Sequence, residues 1–256
     1  MLGIQPLLAG EGPRFGSIVQ VPHPLVVEAY GRAGFDFVIL DQEHGPLSTD
    51  RLGDLVRAAE ASGVVPLVRV PENRPSLIGA ALDQGARGVV VPGIRGVEDA
   101  RAAVEAARYP PEGQRGYCSA VRSAGILPDA QAATRANREV CVFLLIETLG
   151  AVDAVDDIAQ LPGADVLFVG PGDLSAQMGV PGQLSHPDVE RAVEKVAERA
   201  LARGKTLAVH VRDVDTAARY VRRGFRVVSF GIDLQILTLH LREVGAALRG
   251  RVWPTA

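Results

Sequence analysis

The stretch FDFVILDQEHGP, Phe35–Pro46, decides how the rest of the chain is interpreted. Apolar residues, many of them aromatic or β-branched, continue to Leu40 and stop abruptly at Asp41. A continuous apolar run of this kind is typical of a strand buried on both faces of a parallel sheet. Ligands of α/β folds bind at the carboxyl ends of such strands, where ionisable groups need partners to offset their desolvation. We therefore expect an active-site edge to begin at Asp41.

Similar runs recur along the chain, and a helix-like segment follows each of them. They include VVPLVRV (Val64–Val70), CVFLLIE (Cys141–Glu147), ADVLFVG (Ala164–Gly170) and TLAVHV (Thr206–Val211). Eight strand-then-helix units in 256 residues, with no linker between them, predict an α/β fold, namely a (β/α)8 TIM barrel that forms a single domain over residues 1–256. A doubly wound open sheet is the alternative.

Three segments carry more specific structural predictions. We expect a helix over Thr49–Ser62 with Thr49 as its N-cap, and an irregular loop over Tyr109–Asn137. We expect a last helix over Asp233–Arg249, whose apolar residues would cover its own barrel or pack on a neighbouring subunit.

Composition and charge exclude several classes of function. A net charge of −3 and a pI near 6.0 give no basic surface for nucleic acid or for an anionic membrane. Two cysteines, Cys118 and Cys141, are too few for a disulfide framework and suit a reducing compartment. No secretory leader and no apolar window of about 18 residues is present. We therefore expect a soluble, cytoplasmic protein.

Charged residues follow four of the predicted strands at one rim. Asp41, Glu43 and His44 follow the second strand, Arg69 ends the third, Glu147 ends the fifth and Asp173 follows the sixth. A structural salt-bridge network explains any one of these positions. Their convergence on the carboxyl ends of the strands, where barrel enzymes place their active sites, favours a functional site.

Glu147 and Asp173 are the best pair of metal ligands. Carboxylates suit hard divalent ions, and a site with two of them leaves positions for water and substrate. The alternatives are a surface ion pair or a helix cap, because VGPGDLS (Val169–Ser175) also has the composition of a turn with Asp173 as the N-cap of a short helix. The segment lacks the spacing of a nucleotide-binding loop.

His44 is the strongest candidate for a general base, because its neighbours are acidic. His210 ends the seventh strand at the same rim and is a weaker candidate. The two lysines, Lys195 and Lys205, fall in a helix and at the opposite end of the barrel, so imine catalysis is disfavoured.

Five separated motifs resemble the HpcH/HpaI family of metal-dependent class II pyruvate aldolases. In order, the motifs are FDFVILDQEHGP, RVPENRPSLIGAALDQGARGVVVPGI, YPPEGQRG, IET and DVLFVGPGDLSAQMG. The resemblance runs from about Phe15 to the final helix. It implies an enzyme that reversibly cleaves a 4-hydroxy-2-oxo acid to pyruvate and an aldehyde.

The resemblance also implies a role for each matching residue. Glu147 and Asp173 would hold Mg²⁺, Mn²⁺ or Co²⁺, which acts as a Lewis acid on a chelated pyruvate unit. His44 matches the base that takes the C4 hydroxyl proton, and Arg69 matches the arginine that stabilises charge on the keto oxygen. Gly172 and Asp173 match the residues around the pyruvate carboxylate and the metal. Asp83 matches the residue that raises the basicity of the histidine, although its predicted place at the end of a helix is near the bottom of the barrel.

The chain departs from the family pattern at two places. Leu145 occupies the position of a glutamine found two residues before the metal glutamate in members that cleave a heptanedioate. The missing polar contact disfavours that substrate. Tyr117, Cys118 and Ser119 replace smaller residues in a rim loop.

Two other functions are weighed against the aldolase. A related barrel lyase that acts on an acyl-CoA, like the citrate lyase β-subunit, would need a basic rim to which Arg115 and Arg122 could contribute. A catalytically inactive barrel used for binding or assembly would have lost His44, Arg69, Glu147 or Asp173, and all four are present. The resemblance further implies a homo-oligomer, often a hexamer.

Overall fold

Eight parallel strands close into a barrel in this computed structural model, which describes Leu8 and residues 12–252. Each strand pairs with the next along the chain, and β8 pairs with β1, so the TIM-barrel prediction is confirmed and the open sheet is excluded. The strands are β1 (Arg14–Val19), β2 (Phe37–Asp41), β3 (Val65–Arg69), β4 (Gly88–Val91), β5 (Cys141–Ile146), β6 (Val166–Val169), β7 (Thr206–Val211) and β8 (Val227–Ile232).

Helices follow the strands around the outside of the barrel. They are α1 (Pro24–Arg32), α2 (Thr49–Ser62), α3 (Pro75–Asp83), α4 (Val97–Ala107), α5 (Ala132–Glu139), α6 (Leu149–Asp153), α7 (Val155–Gln160), α8 (Pro171–Gln177), α9 (Pro187–Ala202), α10 (Val214–Arg222) and α11 (Asp233–Val252), with a 3₁₀ turn at Arg122–Ala124. No helix of the described ranges is both long and apolar enough to cross a membrane.

Successive residues of each strand point alternately into the barrel and outward to the helices, so they belong to two separate hydrophobic cores. In β2, Phe37 and Ile39 belong to the core inside the barrel, while Val38 and Leu40 belong to the core between the barrel and its helices. Because both faces of the strand are buried, the whole run must be apolar. The next residue with the inward parity is Asp41, which is fully buried. The end of the apolar run is therefore where the barrel interior becomes polar.

The structure corrects three local expectations. Helix α2 has the predicted bounds, but its N-cap is Ser48 rather than Thr49. The segment Tyr109–Asn137 is not irregular throughout, because α5 begins within it at Ala132. Two short helices, α6 and α7, connect β5 to β6 where one was expected. Such boundaries depend on packing as well as on local propensity.

Candidate active site

A cavity of about 180 Å³ opens at the carboxyl ends of the strands. Its floor is apolar and consists of inward-facing residues of the barrel, among them Ile39, Leu145 and Phe168. Its polar walls come from different strands and strand ends, and they carry His44, Arg69, Glu147, Gly172, Asp173, His210 and Arg212. Six of the seven residues in this list were singled out from the sequence, and the fold brings them together at the end of the barrel that carries active sites.

Arg69 is held in one orientation by two acids of the preceding strand end. Its Nε and Nη2 atoms donate to the two oxygens of Asp41 at 2.9 and 2.8 Å, and its Nη1 lies 3.2 Å from Glu43 Oε2. Burial alone would raise the pKa of Asp41, but the hydrogen bonds and charge of Arg69, with the Gln20 amide, outweigh it and lower the pKa. This bidentate pair fixes the guanidinium plane beside the cavity.

His44 lies at the mouth of the cavity, and its side chain is 64% exposed. Its Nε2 is 3.7 Å from Glu43 Oε2, so one carboxylate faces both His44 and Arg69. Burial raises the pKa of Glu43 despite the positive charge of Arg69. The Asp41 carboxylate accepts the backbone N–H groups of Glu43 and His44 and so shapes the turn that presents them.

Glu147 has the most strongly shifted pKa among the acids of the cavity. Burial raises its pKa to about 7, and the negative charges of Glu43 and Asp173 add to the effect, while a hydrogen bond from the Gly93 amide at 3.0 Å opposes it. An acid in these surroundings holds a proton or a cation in preference to an uncompensated charge.

Asp173 lies in the first turn of α8, beside Glu147 in the neighbouring loop. The helix starts at Pro171 with Gly170 as its N-cap, so the alternative in which Asp173 caps the helix is wrong. Gly170 allows the two strand ends to approach, because a Cβ there would lie 3.0 Å from the Cβ of Glu147. Gly172 faces open space, since a Cβ at that position would meet no atom within 4 Å.

Glu147 and Asp173 are a pair of carboxylates rather than a complete set of ligands. Within the described residues, no group of three or more His, Cys, Asp or Glu side chains is arranged to hold a metal ion. The two acids are oxygen donors on adjacent strand ends, and their charges, with Glu43 beside the cavity, suit a hard divalent cation. A cation held there would keep positions for water or substrate.

Asp83 does not reach this cavity within one chain. It is the last residue of α3, and its carboxylate receives a hydrogen bond of 2.6 Å from Arg115. Helices of a TIM barrel run back towards the amino ends of the strands, so Asp83 lies near the opposite end from His44. Arg115 is buried against Asp83, and Arg122 pairs with Glu60. The suggestion that these two arginines contribute to a basic rim is therefore wrong.

Sequence reasoning assigned no role to four groups that line or border the cavity. Asp41 and Glu43 orient Arg69, and their position at the end of a buried strand was the available signal. The Gly93 amide, which donates to Glu147, carries no signal in the side-chain pattern. Arg212 was not singled out, although its position directly after β7 was the available signal.

Comparison with known proteins identifies the family. The model of the HpcH/HpaI aldolase/citrate lyase family matches residues 14–239. A 2-dehydro-3,6-dideoxy-6-sulfogluconate aldolase of Pseudomonas putida is 35% identical over 229 residues, and a 5-keto-4-deoxy-D-glucarate aldolase of Salmonella arizonae is 37% identical over 231, each covering 90% of both chains. The crystal structure of a family protein from Burkholderia cenocepacia J2315 superposes with a TM-score of 0.91 at 34% identity, covering 96% of this chain and 98% of that one. The chain is therefore a carbon–carbon lyase that belongs to the HpcH/HpaI aldolase/citrate lyase family.

Proposed function

We propose that this protein is a class II aldolase that reversibly cleaves a 4-hydroxy-2-oxo acid to pyruvate and an aldehyde, with a divalent metal ion (Mg²⁺, Mn²⁺ or Co²⁺) held by Glu147 and Asp173. The observation that carries the proposal is the surplus of negative charge in one cavity. Glu147 and Asp173 line this cavity, Glu43 borders it, and the three carboxylates repel one another. Burial raises the pKa of Glu147 to about 7. A divalent cation would neutralise this cluster.

The bound metal would act as a Lewis acid that polarises the keto oxygen and stabilises the negative charge left when the C3–C4 bond breaks. Arg69 supports the same charge with N–H groups that Asp41 and Glu43 hold in place. The neighbourhood of Gly172 is open enough for the carboxylate of the substrate. These residues bind and orient the oxo acid without covalent attachment.

His44 is the proposed base for the C4 hydroxyl proton. It lies on the cavity wall, and Glu43 at 3.7 Å stabilises the imidazolium that forms when the proton arrives. The effect of Asp83 on His44 stays a prediction from family resemblance. The two side chains lie at opposite ends of one barrel, so a direct contact requires a neighbouring subunit.

The relatives suggest the chemical class of the substrate. The two aldolases reported above are named for oxo acids derived from sugars. We propose that this chain also acts on an oxo acid of that class. Leu145 contributes an apolar surface to the cavity, where the heptanedioate aldolases carry a glutamine, so a sugar-derived substrate is favoured over a heptanedioate.

Neither alternative function gains support from the site. An acyl-CoA lyase would need a basic surface at the rim, but Arg115 and Arg122 are paired with Asp83 and Glu60 away from the cavity. An inactive barrel would not need to keep His44, Arg69, Glu147 and Asp173 in a single cavity.

Assembly through the last helix is part of the proposal. Helix α11 makes its main contacts with β1 and β8 and leaves large apolar side chains exposed. Five of them recur at spacings of three and four residues and form one stripe: Leu234, Leu237, Leu241, Val244 and Leu248. We propose that a second copy of the chain covers this stripe in a homo-oligomer, a hexamer by family resemblance. Light scattering of Leu237→Glu should show a smaller particle, whereas Leu239→Glu on the opposite face should keep the wild-type mass.

Metal removal and restoration test the proposed chemistry. After treatment with a chelator, we expect no pyruvate release from a panel of 4-hydroxy-2-oxo acids, and recovery on addition of Mg²⁺, Mn²⁺ or Co²⁺. Glu147→Gln and Asp173→Asn should abolish metal-dependent turnover, and His44→Ala should lower it while metal still binds. Glu112→Gln, an exposed acid in a loop, is the control. Full activity in chelator, or trapping of a pyruvate adduct by borohydride, would refute the mechanism.

A further inference from the structure

The β7 side of the cavity carries two polar residues that the proposed cleavage does not use. His210 is the fifth residue of β7, and Arg212 follows the strand directly. Both line the cavity that contains Glu147 and Asp173. In the closed ring of eight strands, β7 lies four positions from β3, which carries Arg69. The cavity is thus polar on opposite sides, with the apolar residues Leu145 and Phe168 in its lining.

Arg212 is the uncompensated cation of this cavity. Arg69 is neutralised by Asp41 and Glu43, but no hydrogen bond or ion pair from any described residue engages the guanidinium of Arg212. A metal ion at Glu147 and Asp173 would neutralise those two acids. The positive charge of Arg212 would then remain for a ligand.

His210 is a neutral hydrogen-bonding group next to this cation. Its Nδ1 lies 3.3 Å from the hydroxyl oxygen of the buried Ser229, so Nε2 is the ring nitrogen left for a ligand. Burial lowers the pKa of His210 to about 4, with the positive charges of Arg212 and Arg69 adding to the effect. At neutral pH the imidazole therefore carries no charge and can donate one hydrogen bond.

We propose that Arg212 and His210 form a subsite for a second anionic group of the substrate, at the end that leaves as the aldehyde. The inference rests on the proposed function and narrows its substrate class to 4-hydroxy-2-oxo acids with a carboxylate, sulfonate or phosphate beyond C4. Arg212 supplies a charge-assisted hydrogen bond to that group, and His210 supplies a neutral one. The apolar floor between the two polar sides lies against the carbon chain.

Pairs of substrates distinguish an effect on this subsite from an effect on the cleavage step. Each pair contains a 4-hydroxy-2-oxo acid with a terminal carboxylate and its terminal carboxamide, which has nearly the same shape without the charge. For Arg212→Gln we expect kcat/KM to fall about 10- to 100-fold on the carboxylate, mainly through KM, and less than threefold on the carboxamide. His210→Leu should lower the carboxylate value by a smaller factor, and His210→Gln should restore part of it.

The control is Arg222→Gln, an exposed arginine at the end of α10 on the other face of the barrel, which should leave both substrates unchanged. Equal losses on carboxylate and carboxamide, or no loss on either, would overturn the subsite. Sulfonate and phosphate analogues show which anion the subsite prefers.

A partial reaction tests the proposed function separately. An enzyme that stabilises charge at C3 of pyruvate exchanges the methyl protons of pyruvate in D₂O without any aldehyde. We expect wild type and Arg212→Gln to exchange at equal, metal-dependent rates by NMR. Absence of exchange in wild type would refute the aldolase, whereas exchange with no discrimination between the paired substrates would refute only the subsite.

Discussion

The acids at the two ends of this barrel differ in how far nearby arginines neutralise them. At the amino ends of the strands, acids are matched by arginines: Glu60 pairs with Arg87 and Arg122, and Asp165 pairs with Arg108. At the carboxyl ends, Glu147 and Asp173 line one cavity with Arg69, and Glu43 borders it. The negative charges of Glu43 and Asp173 add to the raised pKa of Glu147. Charges that are matched within the chain stabilise the fold, whereas a surplus of one sign in a cavity needs a ligand.

Among the changes considered, Arg69→Lys should have the largest effect on catalysis at the carboxyl ends of the strands. Lysine cannot form the bidentate pair with Asp41, so the cation loses its fixed orientation. We expect kcat/KM for cleavage to fall about 10²- to 10³-fold, the loss typical of a removed charge-stabilising donor. Steady-state assays of pyruvate release measure it. Arg95→Lys, in an exposed pair with Asp99, is the control, and a loss below threefold for Arg69→Lys would contradict its role.

Arg108→Met tests the opposite end of the barrel, where the effect should be on stability. The buried guanidinium pairs with Asp165 at 2.7 Å and donates to the Asn137 carbonyl. Removing it leaves the partly buried carboxylate of Asp165 without its ion partner, with the Val142 N–H as a remaining donor. We therefore expect the free energy of unfolding to fall by about 3 kcal/mol. Urea unfolding measures this change, and kcat should be unchanged.

The matched control for that variant is Arg101→Met, on helix α4, which ends immediately before Arg108. Arg101 is about half exposed and pairs with Glu98 on the surface, so its loss should cost less than about 0.5 kcal/mol. A fall in kcat for Arg108→Met without loss of stability would contradict the division of roles between the two ends.

The pH dependence of metal affinity tests the uncompensated charge at Glu147. The pKa of Glu147 is raised from its ordinary value to about 7, so the carboxyl gains a proton as the pH falls through 7. A metal ion must displace that proton. The apparent affinity of the protein for the metal should therefore fall about tenfold per pH unit below 7. Calorimetric titration of the chelator-treated protein with Mn²⁺ between pH 8 and 5.5 measures the slope. A constant affinity across this range would contradict the prediction, and Glu147→Gln should bind little metal at any pH.

Thr148→Ala should give the smallest effect. The Thr148 hydroxyl donates to the Ile94 carbonyl at 2.7 Å and accepts the Ala151 N–H at 3.0 Å, so it caps α6 and joins two loops beside Glu147. Its loss should lower the free energy of unfolding by about 1 kcal/mol. Thermal unfolding measures the change. Thr148→Ser keeps the hydroxyl and should recover most of the stability, and failure to do so would show that the methyl group matters more than the cap.

The sequence predicted the barrel and most of the charged residues at its carboxyl end, because both follow from short stretches of neighbouring residues. The bounds of α2 and β7 are the predicted ones, and Arg69, Glu147 and His210 continue the inward parity of their strands. The helix cap at Ser48 and the start of α5 escaped prediction, because several polar residues of similar propensity compete for such positions. The roles of Arg69 and Asp83 came from family resemblance, and the role of His44 came also from its acidic neighbours. All three stay predictions.

By itself, the order of residues determined eight largely apolar strands and the charged residues that follow four of them at one rim. A period of two along a strand is a property of neighbouring residues, so it is legible in the chain. Only the tertiary structure decided which charges meet: that Arg69 is neutralised by Asp41 and Glu43, that Asp83 pairs with Arg115, and that Arg212 has no partner among the described residues. The physical reason is that electrostatic energy depends on distances between groups far apart in sequence, which closure of the barrel sets.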